Sequence, residues 1–160
     1  MKTLFFLALL SISGLSHAVD KIEVTVEGVE GEILQNVKAY LSIEAQKEYL
    51  NLSARRIKRL HKQAAEEIQQ ALQPFGYYQA KITTSELVES KQTDYILWQA
   101  KYIIELGKPL KIQAIDLNFI GDVKEDKQLP KLLANFPIKI GDTLNHPNYK
   151  KAKQLLHNFA

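Results

Sequence analysis

The chain of 160 residues contains no cysteine. That absence excludes a disulfide framework, a thiolate metal site, a CxxC redox pair and a cysteine nucleophile. Glycine and proline are sparse, at seven and five, which removes collagen-like and low-complexity readings. Charge of one sign is lacking too. The formal net charge is +3, too small an excess to signal a nucleic-acid partner. No GxSxG, HExxH or phosphate-cradling glycine loop occurs, and His17, His61, His146 and His157 have no ligand spacing. Glu66 and Glu67 are neighbours on a helical stretch and point apart, so they form no catalytic carboxylate pair. What is present is ordinary globular composition, 46% hydrophobic and 24% charged, without a catalytic constellation, a metal set or a cofactor motif.

Residues 1–18 read MKTLFFLALLSISGLSHA. One early lysine precedes an apolar run from Leu4 to Leu10, and small residues Ser16 and Ala18 close the stretch. This is the layout of a secretory signal peptide cut after Ala18. The run falls well short of the ~20 apolar residues that a bilayer span requires. The chain from residue 19 is therefore expected to work outside the cytoplasm, and the missing cysteines suit a bacterial periplasm.

Beyond the leader, Ile22, Val24 and Val26 alternate with charged residues and Thr25, the period of a half-buried strand that Gly28 ends. Helical spacing of Ile33/Leu34, Val37 and Tyr40/Leu41 predicts a short helix ending near Ile43. Ser53 is placed to cap a second, longer helix with one apolar stripe: Ile57, Leu60, Ala64, Ile68, Ala71/Leu72 and Phe75. Pro74 and Gly76 stop it. Two strands are predicted next, at about 79–89 and 95–106, joined by a polar hairpin loop. The last strand is apolar on both faces and belongs in the centre of the sheet, parallel to the first; the polar 79–89 strand belongs at an edge. The expected fold is α+β, in the order β-α-α-β-β, with a three-stranded mixed sheet covered on one face by a helix pair.

The pattern then starts again. Ile115, Leu117 and Phe119 alternate up to Gly121, Leu129, Leu132/Leu133 and Phe136 follow at helical spacing, and Pro147 opens another helix. At an offset of 92, Leu52 falls on Leu144, Ile57 on Tyr149, Leu60 on Ala152 and Ala64 on Leu156. By that register the counterparts of the last two strands are not reached by residue 160. The expected organisation is a signal peptide (1–18), one complete domain (19–108) and an incomplete second unit (111–160) of one strand and two helices. Residues 20–110 carry twelve basic and thirteen acidic groups, whereas 111–160 carry eight and five, so the small positive balance lies outside the complete domain.

A leader followed by tandem β-α-α-β-β units resembles the POTRA domains (polypeptide-transport-associated) of Omp85-type outer-membrane assembly proteins. The carrying residues are Val26-Glu27-Gly28, Phe75-Gly76-Tyr77-Tyr78, Glu105-Leu106-Gly107-Lys108-Pro109, Ile120-Gly121 and Ile140-Gly141-Asp142-Thr143-Leu144. Gly28, Gly76, Tyr77, Gly107, Gly121 and Gly141 thus stand as the structural motif. Gly31-Glu32 with Asn36-Val37-Lys38-Ala39-Tyr40-Leu41 is most similar to the TamA branch, the outer-membrane subunits of translocation and assembly modules. The resemblance implies a non-enzymatic periplasmic module that contacts unfolded outer-membrane or autotransporter chains, and a TamB-like inner-membrane-anchored partner. Such proteins reach the membrane through a C-terminal β-barrel, which these residues do not resemble.

Two surfaces are candidates for contact. The 79–89 edge strand, through Gln79, Lys81, Thr83 and Ser85, can accept an extended client as a further strand. Arg55, Arg56, Arg59 and Lys62 form, with Lys58, a basic run at the start of the long helix; a solvated face and a partner surface are both open readings. Two other functions stay open at this point: the POTRA region of another Omp85 member (two-partner secretion or barrel assembly), and a free-standing secreted binding or inhibitor protein.

Overall fold

The alternation of Ile22, Val24 and Val26 with Lys21, Glu23, Thr25 and Glu27 becomes strand β1 (Val19–Glu27). In the computed structural model, which describes residues 19–49, 52–119 and 126–159, three helices follow: α1 (Gly31–Tyr40), α2 (Ser42–Gln46) and α3 (Ala54–Leu72). A single 3-10 turn (Gln73–Phe75) leads to β2 (Lys81–Lys91) and β3 (Tyr95–Glu105). Two further helices, α4 (Leu129–Ala134) and α5 (His146–Phe159), complete the described chain. The expected cleavage site at Ala18 and the expected turn at Gly121 lie outside the described residues.

The sheet order is β1-β3-β2. β1 runs parallel to β3, from Val19 opposite Tyr95 to Glu27 opposite Ile103, and β2 runs antiparallel to it. Parallel neighbours need a crossover, and the three helices supply it. Trp98, Ala100, Tyr102 and Ile104 alternate onto the helix side of β3 and are buried. Ile57, Leu60, Ala64, Ile68, Ala71 and Leu72 of α3 meet them as one buried stripe. The start of α3 is capped as expected: the Ser53 hydroxyl accepts from Arg56 N at 3.4 Å. The mixed α+β architecture read from the sequence is the one observed, with the apolar last strand in the middle.

The first helix departs from expectation. A single helix to Ile43 would set Leu41 and Ile43 about 200° apart, so only one could face the core. Instead the chain breaks at Leu41, whose ψ of 106° is extended, and both side chains are fully buried. Glu67 of α3 holds the new helix end, accepting from Ser42 N at 2.9 Å and from the Ser42 hydroxyl. Asn36 Nδ2 ties α1 to the far end of α3 through Ala71 O at 2.7 Å.

The strand expected at 115–119 is a second departure. Ile115, Leu117 and Phe119 are half-buried and alternate with exposed Asp116 and Asn118, yet no ladder forms there. An isolated antiparallel bridge from Lys111 to Thr143 stands in its place. A strand exists through its partner, and among the described residues none lies alongside this segment.

Candidate functional site

β2 bonds only to β3 among the described residues, so its outer side is an open edge. Lys81, Thr83 and Ser85 are exposed along it. Gln79 is exposed too, but it precedes the strand. Simple alternation would put all four on one face. The ladder register shifts between Ile82 and Thr84, which makes Thr83 the extra residue of a β-bulge. The Thr83 hydroxyl donates to Ile103 O at 3.3 Å. As a result Lys81 sits opposite Glu105 on the open face of the sheet, whereas Ser85 sits opposite buried Tyr102 on the helix side. The structure therefore brings the four residues to one edge but not to one face.

Arg55, Arg56, Arg59 and Lys62 are all exposed on α3. Arg56 is drawn toward α2, its Nε donating to Gln46 Oε1 at 2.8 Å. Lys58 lies over the Trp98 ring, 5.4 Å from its centroid. Arg55, Arg59 and Lys62 keep the spacing of one helical face. Unlike the edge, this face offers only charge.

The turn glycines do different jobs. A Cβ on Gly28, at φ +87°, would stand 2.0 Å from Ile104 O, so only glycine lets the chain leave β1 against the end of β3. A Cβ on Gly76, at φ +84°, would stand 2.6 Å from Leu144 O. Gly76 ends the 3-10 turn and also receives the later segment: Leu110 N donates to Gly76 O, and Leu144 N to Leu110 O, each at 2.8 Å. That second duty had no signal in the sequence, because it depends on residues far along the chain. Tyr77 packs against the core, while the Tyr78 hydroxyl reaches His146 Nε2 at 3.0 Å. Gly107 and Gly141 also have positive φ.

Titratable groups within the fold are spent on structure. His61 Nδ1 meets the Tyr102 hydroxyl at 2.9 Å, with the rings stacked at 5.6 Å. Burial lowers the His61 pKa from its ordinary value. Burial, and secondly the Glu67 carboxylate, holds the Tyr102 phenol well above its ordinary range. A neutral imidazole against a neutral phenol clamps α3 to β3 and activates no nucleophile. Among the described residues no group of three or more His, Asp or Glu side chains is placed to hold a metal ion, and no helix is long and apolar enough to cross a membrane.

A mixed three-stranded sheet, roofed by helices and, among the described residues, unpaired along its two outer strands, defines a small α+β module. The family model described as POTRA domain, TamA domain 1, matches residues 23–106, more than half of the chain, and the chain belongs to this POTRA family of Omp85-like proteins. Among solved structures it is similar to a crystal structure of BamA POTRA3-5 from Haemophilus influenzae. That alignment has 15% identity and a TM-score of 0.37, covering 87% of this chain and 48% of the other. The chain thus spans about half the length of the structure it matches.

Proposed function

We propose that the chain is a non-enzymatic periplasmic protein-interaction module of a TamA-type outer-membrane assembly system. Its membership of the POTRA family, through residues 23–106, carries the reading. In it, residues 1–18 export the chain and are removed after Ala18, residues 19–108 are the working domain, and residues 111–160 belong to a second unit of the same plan. Unfolded outer-membrane or autotransporter polypeptides add to the open β2 edge along Lys81, Thr83 and Ser85, with Gln79 at its entrance. Backbone pairing is largely indifferent to side-chain identity, which suits a module that handles many clients. Arg55, Arg56, Arg59 and Lys62 face an acidic stretch of a TamB-like, inner-membrane-anchored subunit.

Photo-reactive residues at Ser85 and at Arg59, in intact cells, test both surfaces. The Ser85 position is expected to label several outer-membrane polypeptides, and the Arg59 position a single larger partner. Thr83→Pro sits at the bulge, where proline is tolerated. It is expected to reduce Ser85 labelling at least about fivefold while moving the thermal midpoint by no more than about 4 °C. Undiminished labelling in that variant would sink the β2 edge as the client site.

A further inference from the structure

Between β3 and the later segment, Gly107-Lys108-Pro109 has the composition of a loose linker. The chain beyond it is nevertheless fastened. Leu110 N donates to Gly76 O and Leu144 N to Leu110 O, each at 2.8 Å. Ile112 N donates to Asp142 O and Gly141 N to Ile112 O, each at 2.9 Å. Residues 110–112 are thus pinned between the end of the 3-10 turn and residues 141–144. Lys111 Nζ adds a bond to the Thr143 hydroxyl at 2.9 Å.

A second tether runs through side chains. Gln69 Nε2 of α3 donates to Tyr78 O at 3.1 Å, and the Tyr78 hydroxyl meets His146 Nε2 at 3.0 Å. His146 is the first residue of α5, and Asn145 caps that helix, its side chain accepting from Asn148 N at 3.0 Å. The main-chain and side-chain tethers therefore grip α5 at Leu144 and His146, on either side of its cap. A helix held at one point can swing. Held at two, and laid against the 3-10 turn, it keeps one direction. Gly76 makes the close fit possible, because a Cβ there would stand 2.6 Å from Leu144 O and 3.1 Å from Thr143 Cγ2.

We propose that residues 110–112, residues 141–144 and α5 are locked to the first domain as one fixed-angle arm. Gly76 and the Tyr78–His146 contact are its two fasteners, and residues 107–109 are not a hinge. Adjacent units of a chain move relative to one another by default unless their contact holds them. As a free tether, residues 107–110 would let α5 wander by about 10 Å. With both fasteners closed, the β2 edge and the exposed face of α3 keep a constant direction relative to α5.

The absence of cysteine allows nitroxide labels at two chosen sites in the full chain, Ala65→Cys on α3 and Gln154→Cys on α5, both exposed. Double electron–electron resonance reads the distribution of distances between them. The labelled parent is expected to give one peak, with a spread well under the free-tether value of about 10 Å. Tyr78→Phe combined with Leu144→Pro removes the hydroxyl and the N–H on which the two tethers depend, and is expected to widen that peak at least about twofold. Gly76→Ala, whose Cβ meets Leu144 O, is expected to widen it as well. A far-UV circular dichroism spectrum matching the labelled parent establishes that each variant is folded. Should Gly76→Ala fail that check, the double variant alone decides. A parent spread of about 10 Å, or an unwidened peak in the double variant or in folded Gly76→Ala, overturns the fixed-angle arm.

Discussion

Residues 19–106 and residues 110–159 start from similar patterns and finish differently. Both have an alternating stretch and helices with an apolar stripe. The first region closes around Trp98, Tyr102, Leu41, Ile43 and the α3 stripe. Among its described residues the second buries only Phe136 and Ala152, and leaves Leu133, Ile140, Tyr149 and Leu155 exposed. A groove of about 490 Å³ stays open between residues 112–117 and α5, lined by Ile112, Ile115, Leu117, Tyr149, Ala152 and Leu156 among others. The first region owns the β2–β3 hairpin; among the described residues no hairpin stands beside 112–119. A helical stripe and one alternating segment leave apolar surface unsatisfied until a central strand supplies the facing side chains.

The largest test of that contrast is Trp98→Ala. Removing the indole from the centre of β3 is expected to cost about 3–5 kcal/mol, read from urea unfolding followed by circular dichroism. Tyr149→Ala, which truncates an exposed aromatic of α5, is expected to change the same transition by less than about 0.5 kcal/mol. Equal costs would erase the distinction between the two regions.

Gly28→Ala against Gly141→Ala comes next. Both glycines have positive φ, but the new Cβ meets Ile104 O at position 28 and nothing within 4 Å at position 141. Gly28→Ala is expected to cost about 2–4 kcal/mol and Gly141→Ala no more than about 1–2 kcal/mol, measured by the same unfolding experiment. A smaller cost at Gly28 would mean that the β1 end relaxes away from β3.

Ser53→Ala removes the cap of α3 and is expected to cost about 1 kcal/mol, visible as a lower urea midpoint. The smallest effect concerns pH. The His61 pKa is lowered on folding, so the unfolded chain binds more protons there. Its contribution to stability is complete above the ordinary value of 6.5 and is lost as pH falls through the window down to the folded value. His61→Asn is expected to flatten that part of the stability profile, and an NMR titration of the His61 ring should give a midpoint below 6.5. A midpoint above that value would reverse the sign.

Much of the first region was legible because its signals are local. The α3 stripe, its Ser53 cap, the stop at Gly76 and the apolar character of β3 each lie within a few residues of chain. They sufficed for strand order and direction. The break at Leu41 was hidden because it depends on Glu67, twenty-five residues beyond Ser42, and on two side chains competing for one core. The bulge at Thr83 was hidden for a related reason: register belongs to a strand pair, and one strand's own alternation carries no sign of an extra residue. The hydrogen bonds that Asp20 and Glu23 of β1 accept from Trp98 and Gln99 needed partners on β3, more than seventy residues away. They could be seen only once the strands were paired.

Amide hydrogen exchange of the full chain, alone and with a synthetic peptide of about ten residues, a strand's length, bears most directly on the central claim of a closed domain with a receptive strand edge. Without peptide, β3 and the buried face of α3 should exchange slowest, and residues 112–119 fastest. With peptide, the added protection should fall on an outer strand of the sheet and leave α3 unchanged. Added protection confined to α3, or none on either outer strand, would contradict strand-edge docking; equal protection of β3 and 112–119 in the free chain would contradict the contrast between the two regions.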